Sequence, residues 1–419
     1  MQIENFNEGL LGFLDASPTP YHATYNISLM LENAGFIKLY EELSWELEEG
    51  KKYFVTRNDS SVVAFTYPKR KDYTIVAAHT DSPTLKVKPN PLMTTNGVIQ
   101  LGVEPYGGLL LSSWFDRDLS LAGKIHYLDS NNVIKEHLVD LKEAIASIPS
   151  LAIHLDNKAN KDKTINKQTD IVPIIAGGEE FDFDQFLRKC LHNGGVDNIE
   201  EVYGYDLSFY DTQKASFVGL NKEFLASARL DNLLSCYIGL VSICSIDETK
   251  PFMFVASDHE EVGSESAYGA DGNFFESVYR RIFPTYENFM QSVRSSFLVS
   301  CDNAHAIHPN FPQKHEPSHA PKMNEGVVIK INANQRYTSS SKTISRFLNV
   351  ASALDIKTQN FVTRSDMGCG STIGPITSAR IGLDAIDVGV PTLAMHSIRE
   401  LAGTKDSYEL YKILTALSY

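Results

Sequence analysis

Apolar residues recur at helical spacing over residues 5–35; the pattern is broken by the prolines of Pro18–Pro20 and ends at Gly35. Because apolar residues three or four positions apart fall on one face of a helix, this stretch predicts helical structure with an interruption at the prolines. Short runs rich in β-branched and aromatic residues follow, and they predict strands. These runs are KYFVT, SVVAFTY and TIVAAH, and the last ends at His79.

The pattern changes from about Thr84 to Phe217. Gly-Gly turns, a stretch rich in lysine and asparagine at 157–167, and alternating segments such as GKIHYL and VIKEHLV predict a separate β-rich unit there. Helix-compatible and strand-like runs then alternate again, as in an α/β layer. A chain of 419 residues is also long for a single core. The sequence therefore predicts one α/β domain, residues 1–84 and 218–419, interrupted by a β-rich insertion at 85–217.

Polar residues directly follow four of the predicted strands. TIVAA runs into His79, and FMFVAS runs into DHEEVGS, which contains Glu260 and Glu261. SSFLVS precedes Asp302, and TLAM precedes His396. In an open α/β sheet, ligands bind beyond the carboxyl ends of the strands, so these side chains could surround one point.

A fifth element, SARLDN, puts Asp231 at the start of a predicted long helix, where a negative charge is favourable. Taken alone, Asp231 would be interpreted as a helix N-cap. A single His or Asp after a strand is likewise more often a turn former or a satisfied polar group. Surface turns have no reason to carry only His, Asp and Glu at four strand ends, so the joint pattern favours a functional site.

The candidate ligands are imidazoles and carboxylates without a thiolate, which suits zinc, with cobalt or manganese as substitutes. Two histidines and at least three carboxylates exceed the three protein ligands of one catalytic zinc, whereas two metal ions sharing a carboxylate would use them all. Asp81, two residues after His79, would point to the same side of an extended chain and could orient that imidazole.

The adjacent glutamates Glu260 and Glu261 could divide the work, one binding metal and the other taking a proton from water. Consecutive residues of an extended chain point to opposite sides, so both can face one site only if the backbone turns there. The Val-Gly-Ser that follows fits such a turn. Spacing alone does not decide which glutamate has which role.

Composition argues against several classes of partner. The chain has 38 Lys and Arg against 52 Asp and Glu, a formal net charge of −14, and no basic run, so nucleic acid and anionic membranes are poor partners. No segment approaches the roughly 18 unbroken apolar residues of a spanning helix, and the first residues lack the pattern of a signal peptide. The 5 cysteines form no CxxC pair, which favours reduced thiols. These features predict a cytoplasmic protein.

Other chemistries have weaker support. The chain contains neither a GxSxG nucleophile elbow nor a Walker-type phosphate loop. The segment GCGST at 368–372 contains Cys369, but no clear local partner supports a cysteine nucleophile. A glycine-rich pocket wall is the better interpretation of that segment.

Seven motifs, in order along nearly the whole chain, resemble those of the aspartyl aminopeptidases, which are cytosolic metallopeptidases with co-catalytic zinc. They are HTDSP at 79, SARLDN at 227, DHEEVGS at 258, DNAHAIHPN at 302, VIKINANQRY at 328, STIGP at 371 and AMHSIRE at 394.

The resemblance implies a three-layer α/β/α catalytic domain, a mostly β insertion domain used for assembly, and a tetrahedral homo-dodecamer. It also implies two Zn²⁺ ions per subunit. By motif position, His79 and Asp302 would hold one zinc, Glu261 and His396 the other, and Asp231 would bridge them, with Glu260 as general base and Asp81 as the residue that orients His79.

Three further roles follow from the same resemblance. Lys330 would reach an acidic side chain on the first residue of the substrate, and Tyr337 would face the developing oxyanion. His154 would enter the active site of a neighbouring subunit and act there on substrate and catalysis. Taken alone, Lys330 would be interpreted as a solvated strand residue and His154 as a polar residue of an edge strand.

The predicted function is removal of the N-terminal residue from peptides with a free N-terminus, with a preference for Asp or Glu. One metal would take the free α-amine, which explains attack at the first residue. A broad-specificity or neutral-residue aminopeptidase of the same fold stays open, because the sequence does not show where Lys330 points. The remaining alternatives are a carboxypeptidase or deacylase on a related two-zinc fold and a catalytically silent assembly scaffold. A silent scaffold would be expected to lack a metal ligand or the base, and here every one of these positions is filled.

Overall fold

The computed structural model describes residues 1–417 and divides into two compact units. The first unit comprises Met1–Ser82, Ala215–Met395 and the segment that begins at Glu400. The second comprises Pro83–Lys214 and His396–Arg399. Within residues 1–417, no helix combines the length and the apolar character needed to cross a membrane.

The helices and strands follow one another along the chain in this order: α1 (Ile3–Ala16), α2 (Pro20–Asn33), β1 (Ile37–Leu39), β2 (Lys51–Arg57), β3 (Ser61–Tyr67), β4 (Thr74–His79), β5 (Thr84–Thr95), β6 (Val98–Tyr106), β7 (Leu119–Asp129), β8 (Ile134–Asp140), β9 (Ile174–Gly177), α3 (Phe183–Asn193), β10 (Ile199–Asp211), β11 (Ser216–Val218), β12 (Phe224–Ser227), α4 (Leu230–Ser245), β13 (Phe252–Ser257), α5 (Phe274–Ile282), α6 (Tyr286–Ser295), β14 (Phe297–Cys301), β15 (Ala304–His305), β16 (Val327–Lys330), α7 (Ser341–Ala353), β17 (Thr358–Phe361), α8 (Ile373–Ile381), β18 (Asp384–Gly389), β19 (Pro391–Leu393), β20 (Glu400–Gly403) and α9 (Asp406–Ala416).

A nine-stranded sheet forms the centre of the first unit, with strand order β1-β2-β3-β13-β4-β14-β18-β16-β17. The four central strands β13, β4, β14 and β18 run parallel to one another. Strands β3 and β16 flank this block in the antiparallel direction. The carboxyl ends of the parallel strands therefore meet at one edge of the sheet.

Both faces of this sheet are buried, as a run of apolar residues in a central parallel strand requires. On β13, Phe252, Phe254 and Ala256 pack in the apolar cluster formed with α1, α2, α4, α7 and α9. The alternate residues Met253 and Val255 pack with α5, α6 and α8 on the other face. The prediction of a three-layer α/β/α catalytic domain is confirmed.

The helical pattern at the start of the chain gives two helices, as the prolines indicated. Helix α1 ends at Ala16, and α2 begins at Pro20, where a proline costs no backbone hydrogen bond. The side chain of Thr19 caps α2 by accepting a hydrogen bond from the backbone N–H of His22. The predicted strands KYFVT, SVVAFTY and TIVAAH correspond to β2, β3 and β4.

A smaller sheet also belongs to the first unit. Its five strands have the order β11-β12-β20-β19-β15. Strand β20 begins with Glu400, which is buried and pairs across the sheet with Ser227 at the end of β12. The chain enters the SARLDN motif from β12, so this sheet leads directly to the start of α4.

The second unit is built on a six-stranded sheet of order β8-β7-β10-β5-β6-β9, in which the paired strands are all antiparallel. Alternate residues such as Leu119, Leu121 and Ile125 of β7 face an apolar core that also contains Leu187 and Leu191 of α3. The prediction of a mostly β unit in this part of the chain is confirmed.

Candidate active site

Strand β4 lies between β13 and β14, and His79 is its last residue. His79 pairs in register with Ser257, the residue before the DHEE segment. On the other side, Ser300 of β14 pairs with Ala77, so Asp302 follows β14 at about the level of His79. The strand order thus brings the HTD, DHEE and CDN segments together, as expected of neighbouring parallel strands.

The imidazole of His79 is buried and faces three carboxylates. Its Nε2 lies 3.4 Å from Asp231 Oδ1, 3.6 Å from Asp302 Oδ1 and 3.9 Å from Glu260 Oε2. Its Nδ1 lies 3.3 Å from Asp81 Oδ1 and 3.1 Å from the Asp81 carbonyl oxygen. Because Asp81 occupies the Nδ1 side, Nε2 is directed at the other carboxylates.

Asp81 also holds the segment that carries the two glutamates. One carboxylate oxygen accepts a hydrogen bond from the backbone N–H of Glu260 and the other from that of Glu261, each at 3.1 Å. The backbone turns at His259, which has a φ of 65°, and Glu260–Val262 form a single 3-10 turn. The expected turn therefore begins one residue before the glutamates rather than at Val-Gly-Ser, and it brings both of them next to His79.

Asp231 lies at the start of α4, but its backbone and that of Asn232 are not helical, so the regular part of the helix follows them. The Asp231 carboxylate lies 3.4 Å from His79 Nε2, which favours the functional site over a role as N-cap alone. Three side chains hold this turn: Ser82 donates to the Asp231 carbonyl (2.5 Å), Glu400 accepts from the Asp231 backbone N–H (3.0 Å), and Asn232 donates to the Cys301 carbonyl (2.9 Å).

Asp302 is fixed by its backbone and by one lysine. Its N–H donates to the carbonyl of Val388 in β18 at 3.0 Å. A Cβ at Gly389 would lie 1.9 Å from the Asp302 carbonyl oxygen, so only glycine allows this close approach. Lys330 donates from Nζ to Asp302 Oδ2 and to the Asn303 carbonyl, both at 2.9 Å.

Lys330 is thus a buried strand residue, only 3% exposed, and its interpretation as a solvated side chain is wrong. Burial is the largest single influence and lowers the pKa of Lys330, but Asp302, Tyr337 and Asp387 together outweigh it and raise that pKa above its usual value. The ammonium therefore stays charged. Its bond to Oδ2 leaves Oδ1 of Asp302 on the side of His79.

Two sets of three ligand atoms in the first unit lie within 4.8 Å of one another: His79, Asp231 and Asp302, and His79, Glu260 and Glu261. Bringing so many carboxylates together is electrostatically unfavourable. Burial, with the neighbouring charges of Asp302, Glu261 and Asp231, raises the pKa of Glu260 to about 8. Such a cluster needs positive charge nearby, and a metal cation can supply it.

Tyr337 is 5% exposed and lies in the loop after β16. Its ring centroid is 5.0 Å from Lys330 Nζ and 6.4 Å from the ring centroid of Phe361. Burial raises the pKa of Tyr337 well above its usual value, so its phenol remains a hydrogen-bond donor at neutral pH. The structure therefore brings Tyr337 next to Lys330, which in turn contacts Asp302.

His396 and His154 belong to the second unit. Nδ1 of His396 lies 3.0 Å from the carbonyl oxygen of Gly108. Because a carbonyl oxygen only accepts hydrogen bonds, Nδ1 carries the proton and Nε2 carries the lone pair. This is the tautomer that can bind a metal through Nε2. His154 lies in an exposed turn between β8 and β9 and not in an edge strand.

The segment HEPSH at 315–319 has the letters of the HExxH zinc motif. That motif works on a helix, whereas here a 3-10 turn ends at Lys314 and Pro317 follows. His319 and Glu316 form their own ion pair at 2.5 Å. Their arrangement therefore does not match a metallopeptidase helix.

Sequence inspection missed residues that hold the site without entering it. Ser82, Asn232 and Glu400 fix the start of α4. Each lies inside or beside a recognised motif, so adjacency to HTDSP, SARLDN and AMHSIRE was the signal that could have singled them out. Their partners are distant in sequence, which is why their roles were not predictable.

Comparison with known proteins gives a consistent result. The family model "Aminopeptidase I zinc metalloprotease (M18)" matches residues 13–417. A "Probable M18 family aminopeptidase 2" of Ectopseudomonas mendocina is 51% identical over 420 residues, covering 99% of this chain and 98% of that protein. The match confirms the resemblance seen in the motifs.

Solved structures with the same fold extend this result. A chain of the cryo-EM structure of the Ape4 and Nbr1 complex has a TM-score of 0.95 and 37% identity, covering 99% of this chain and 85% of that one. The S. cerevisiae mApe1 dodecamer has a TM-score of 0.86 and 27% identity, covering 99% and 96%. The chain belongs to the M18 family of zinc metallo-aminopeptidases.

Proposed function

We propose that this aminopeptidase uses two zinc ions to hydrolyse the first peptide bond of substrates with a free N-terminus, with a preference for Asp or Glu as the first residue. The observation that carries the proposal is the convergence of His79, Asp231 and Asp302 at the end of β4, with ligand atoms within 4.8 Å of one another. The Glu260–Glu261 turn beside them provides a further ligand and a base.

The donor set fits zinc, because imidazole and carboxylate are among its usual ligands. Following the motif positions, we assign His79 and Asp302 to one zinc, Glu261 and His396 to the second, and Asp231 to the bridge between them. The contact of Asp81 with His79 Nδ1 supports this assignment, because such a contact fixes the tautomer that binds a metal. Cobalt or manganese would substitute for zinc.

Zinc bound here would polarise the substrate carbonyl and lower the pKa of a water molecule. Glu260 then takes a proton from the attacking water and returns it to the amine of the departing peptide. Its side chain is 17% exposed, against 5% for Asp231 and 12% for Asp302, so it is more accessible than either of those carboxylates. Tyr337 donates a hydrogen bond to the carbonyl oxygen as negative charge develops there.

Removal and return of the metal tests the proposal. We expect chelator-treated protein to lose hydrolysis of an aspartyl peptide, and zinc, then cobalt or manganese, to restore it. The same peptide with an acetylated N-terminus should not be cut, because an aminopeptidase requires the free amine. Release of the first amino acid is the measurement.

Each of the other outcomes would indicate a different function. Equal cleavage of the acetylated peptide would identify a carboxypeptidase or deacylase. Absence of hydrolysis with every metal would indicate a silent scaffold. Full activity after complete metal removal would contradict metal-dependent hydrolysis.

The preference for an acidic first residue is proposed to depend on Lys330. A buried ammonium favours a substrate carboxylate through a charge-assisted hydrogen bond, a contact usually worth about 1.5 to 3 kcal/mol. Lys330 already bonds to Asp302 and Asn303, so an acidic substrate would share this ammonium with them. Lys330 can therefore have two roles, which are binding an acidic substrate side chain and holding Asp302. Only the first role would give a preference for Asp or Glu as the first residue.

We expect Lys330→Met to lower kcat/KM for Asp- and Glu-terminated substrates by about 10- to 100-fold more than for a Leu-terminated one. The ratio between substrates is measured on one preparation, so loss of folded protein cancels. Lys322→Met, which removes an exposed lysine, is the control and should leave the ratio unchanged. An equal loss on all three substrates would assign Lys330 to Asp302 alone.

We also propose assembly into a tetrahedral homo-dodecamer in the cytoplasm. The related mApe1, solved as a dodecamer, supports the subunit number. The turn around His154 supports a role at a subunit contact, because Leu151, Ile153 and Leu155 beside it are more than half exposed in the single chain. The 5 cysteines are free thiols, in keeping with a reducing compartment.

Mixing two inactive variants tests whether His154 acts across subunits. We expect His154→Ala and Glu260→Gln each to lose activity while keeping the mass of the assembly in sedimentation. After joint dissociation and reassembly in equal amounts, about a quarter of the sites would combine an intact Glu260 with an intact His154 from a neighbour. Recovery of about that fraction is the expected result. No recovery in a verified mixed assembly would contradict delivery of His154 in trans.

A further inference from the structure

Two loops with no assigned metal ligand meet at a buried carboxylate. One is the segment after β16 that contains Tyr337, and the other is GCGST at 368–372, which leads into α8. Asp387 of β18 lies between them and is fully buried. Burying a carboxylate is costly unless its oxygens are hydrogen-bonded. The hydrogen-bond partners of Asp387 therefore show which segments it holds in place.

Each oxygen of Asp387 bonds to a different loop. Oδ2 accepts from the backbone N–H of Thr338 at 2.6 Å and from its hydroxyl at 2.8 Å. Oδ1 accepts from the hydroxyl of Thr372 at 2.6 Å. The hydroxyl of Ser339 accepts from the backbone N–H of Asp387 at 3.1 Å. The carboxylate therefore ties both loops to the same point of β18.

The first turn of α8 is shaped to fit this carboxylate. A Cβ at Gly374 would lie 2.5 Å from Oδ1 and 2.7 Å from Oδ2 of Asp387, closer than non-bonded atoms approach. Only glycine leaves the space that Asp387 occupies. Thr372 and Gly374 of the STIGP motif thus have one common purpose, which is to receive the Asp387 side chain.

Tyr337 directly precedes the tied residue Thr338. Cys369 of the glycine-rich loop packs against the apolar cluster that contains Tyr337 and Phe361, and the Tyr337 ring also lies 5.0 Å from Lys330 Nζ. The backbone on the C-terminal side of Tyr337 and the loop that contacts its side chain are therefore both anchored by Asp387. A shift of either loop would move the phenol.

We propose that Asp387 is a positioning residue for Tyr337, and that the GCGST loop is the second support of the same phenol rather than only a pocket wall. The kinetic part of this inference rests on the proposed role of Tyr337 at the oxyanion. The structural part, anchoring of the two loops by Asp387, does not depend on that function.

A double-mutant cycle tests the kinetic part. Tyr337→Phe should lower kcat by about 100-fold, as expected for loss of an oxyanion donor. Asp387→Asn turns an acceptor into an amide donor that faces the Thr338 or Thr372 donors, and it should lower kcat by about 10- to 100-fold with little change in KM. In the Tyr337→Phe background the same change should have less than about a twofold effect.

A matched pair at Thr372 covers the case in which Asp387→Asn fails to fold. Thr372→Val has the same shape but lacks the hydroxyl, and it should lower kcat in the same non-additive way. Thr372→Ser keeps the hydroxyl and should retain kcat within about twofold. Additive effects with Tyr337→Phe, or a lower melting temperature without a change in kcat, would overturn the positioning role.

The alkylation rate of Cys369 tests the structural part without any peptidase assay. Cys369 is half-buried, and so is Cys244 on α4, which provides an internal control in the same protein. Asp387→Asn and Thr372→Val should speed iodoacetamide labelling of Cys369 by about tenfold and leave Cys244 unchanged, as read by peptide mass spectrometry. Unchanged labelling of Cys369 would overturn the anchoring. If the protein lacks the proposed activity, the kinetic comparison cannot be made, but the labelling result is unaffected.

Discussion

The rest of the site depends on the contacts that the buried Asp81 carboxylate makes with three partners. Asp81 contacts Nδ1 of His79 and accepts the backbone N–H groups of Glu260 and Glu261. One side chain thus sets the direction of the imidazole and the conformation of the turn beside it. Because β4 and β13 are neighbours in register, this bridge is short and spans the ends of two adjacent strands.

This bridge acts against a strong electrostatic penalty. Asp81, Asp231, Asp302 and Glu260 surround a single histidine. Burial, with repulsion from Asp302, Glu261 and Asp231, raises the pKa of Glu260 to about 8. Lys330 compensates on one side through Asp302. The remaining carboxylates are tolerated because the α/β sheet and the start of α4 hold their backbones in place. A rigid framework of this kind favours binding of a cation over relaxation of the ligands.

Much of this arrangement could be predicted from the sequence. Apolar runs predict buried strands, and neighbouring parallel strands end at the same edge, so His79, Asp302 and the DHEE segment could be predicted to meet. Asp231 needed the joint pattern, since alone it would have been taken for an N-cap. The turn at His259 was expected only in outline, because a left-handed conformation at a non-glycine residue has no sequence signature of its own.

Other features lay beyond sequence reasoning because they depend on side chains that meet from distant positions. The burial of Lys330 results from its neighbours β17 and β18 and from Asp302, none of which its own segment reveals. Asp387 sits in an ordinary strand pattern, and its importance follows only from the two loops that reach it. Glycines at 374 and 389 similarly acquire meaning only from the atoms that a Cβ would meet.

We propose that the turn held by Asp81 gives two adjacent glutamates different roles, with Glu261 on zinc and Glu260 on the attacking water. The most direct test measures zinc by elemental analysis and turnover on the same samples of Glu260→Gln and Glu261→Ala. We expect Glu260→Gln to keep its zinc and to lose about 10²- to 10⁴-fold in kcat, whereas Glu261→Ala should lose zinc. Equal loss of zinc in the two variants would contradict this proposal.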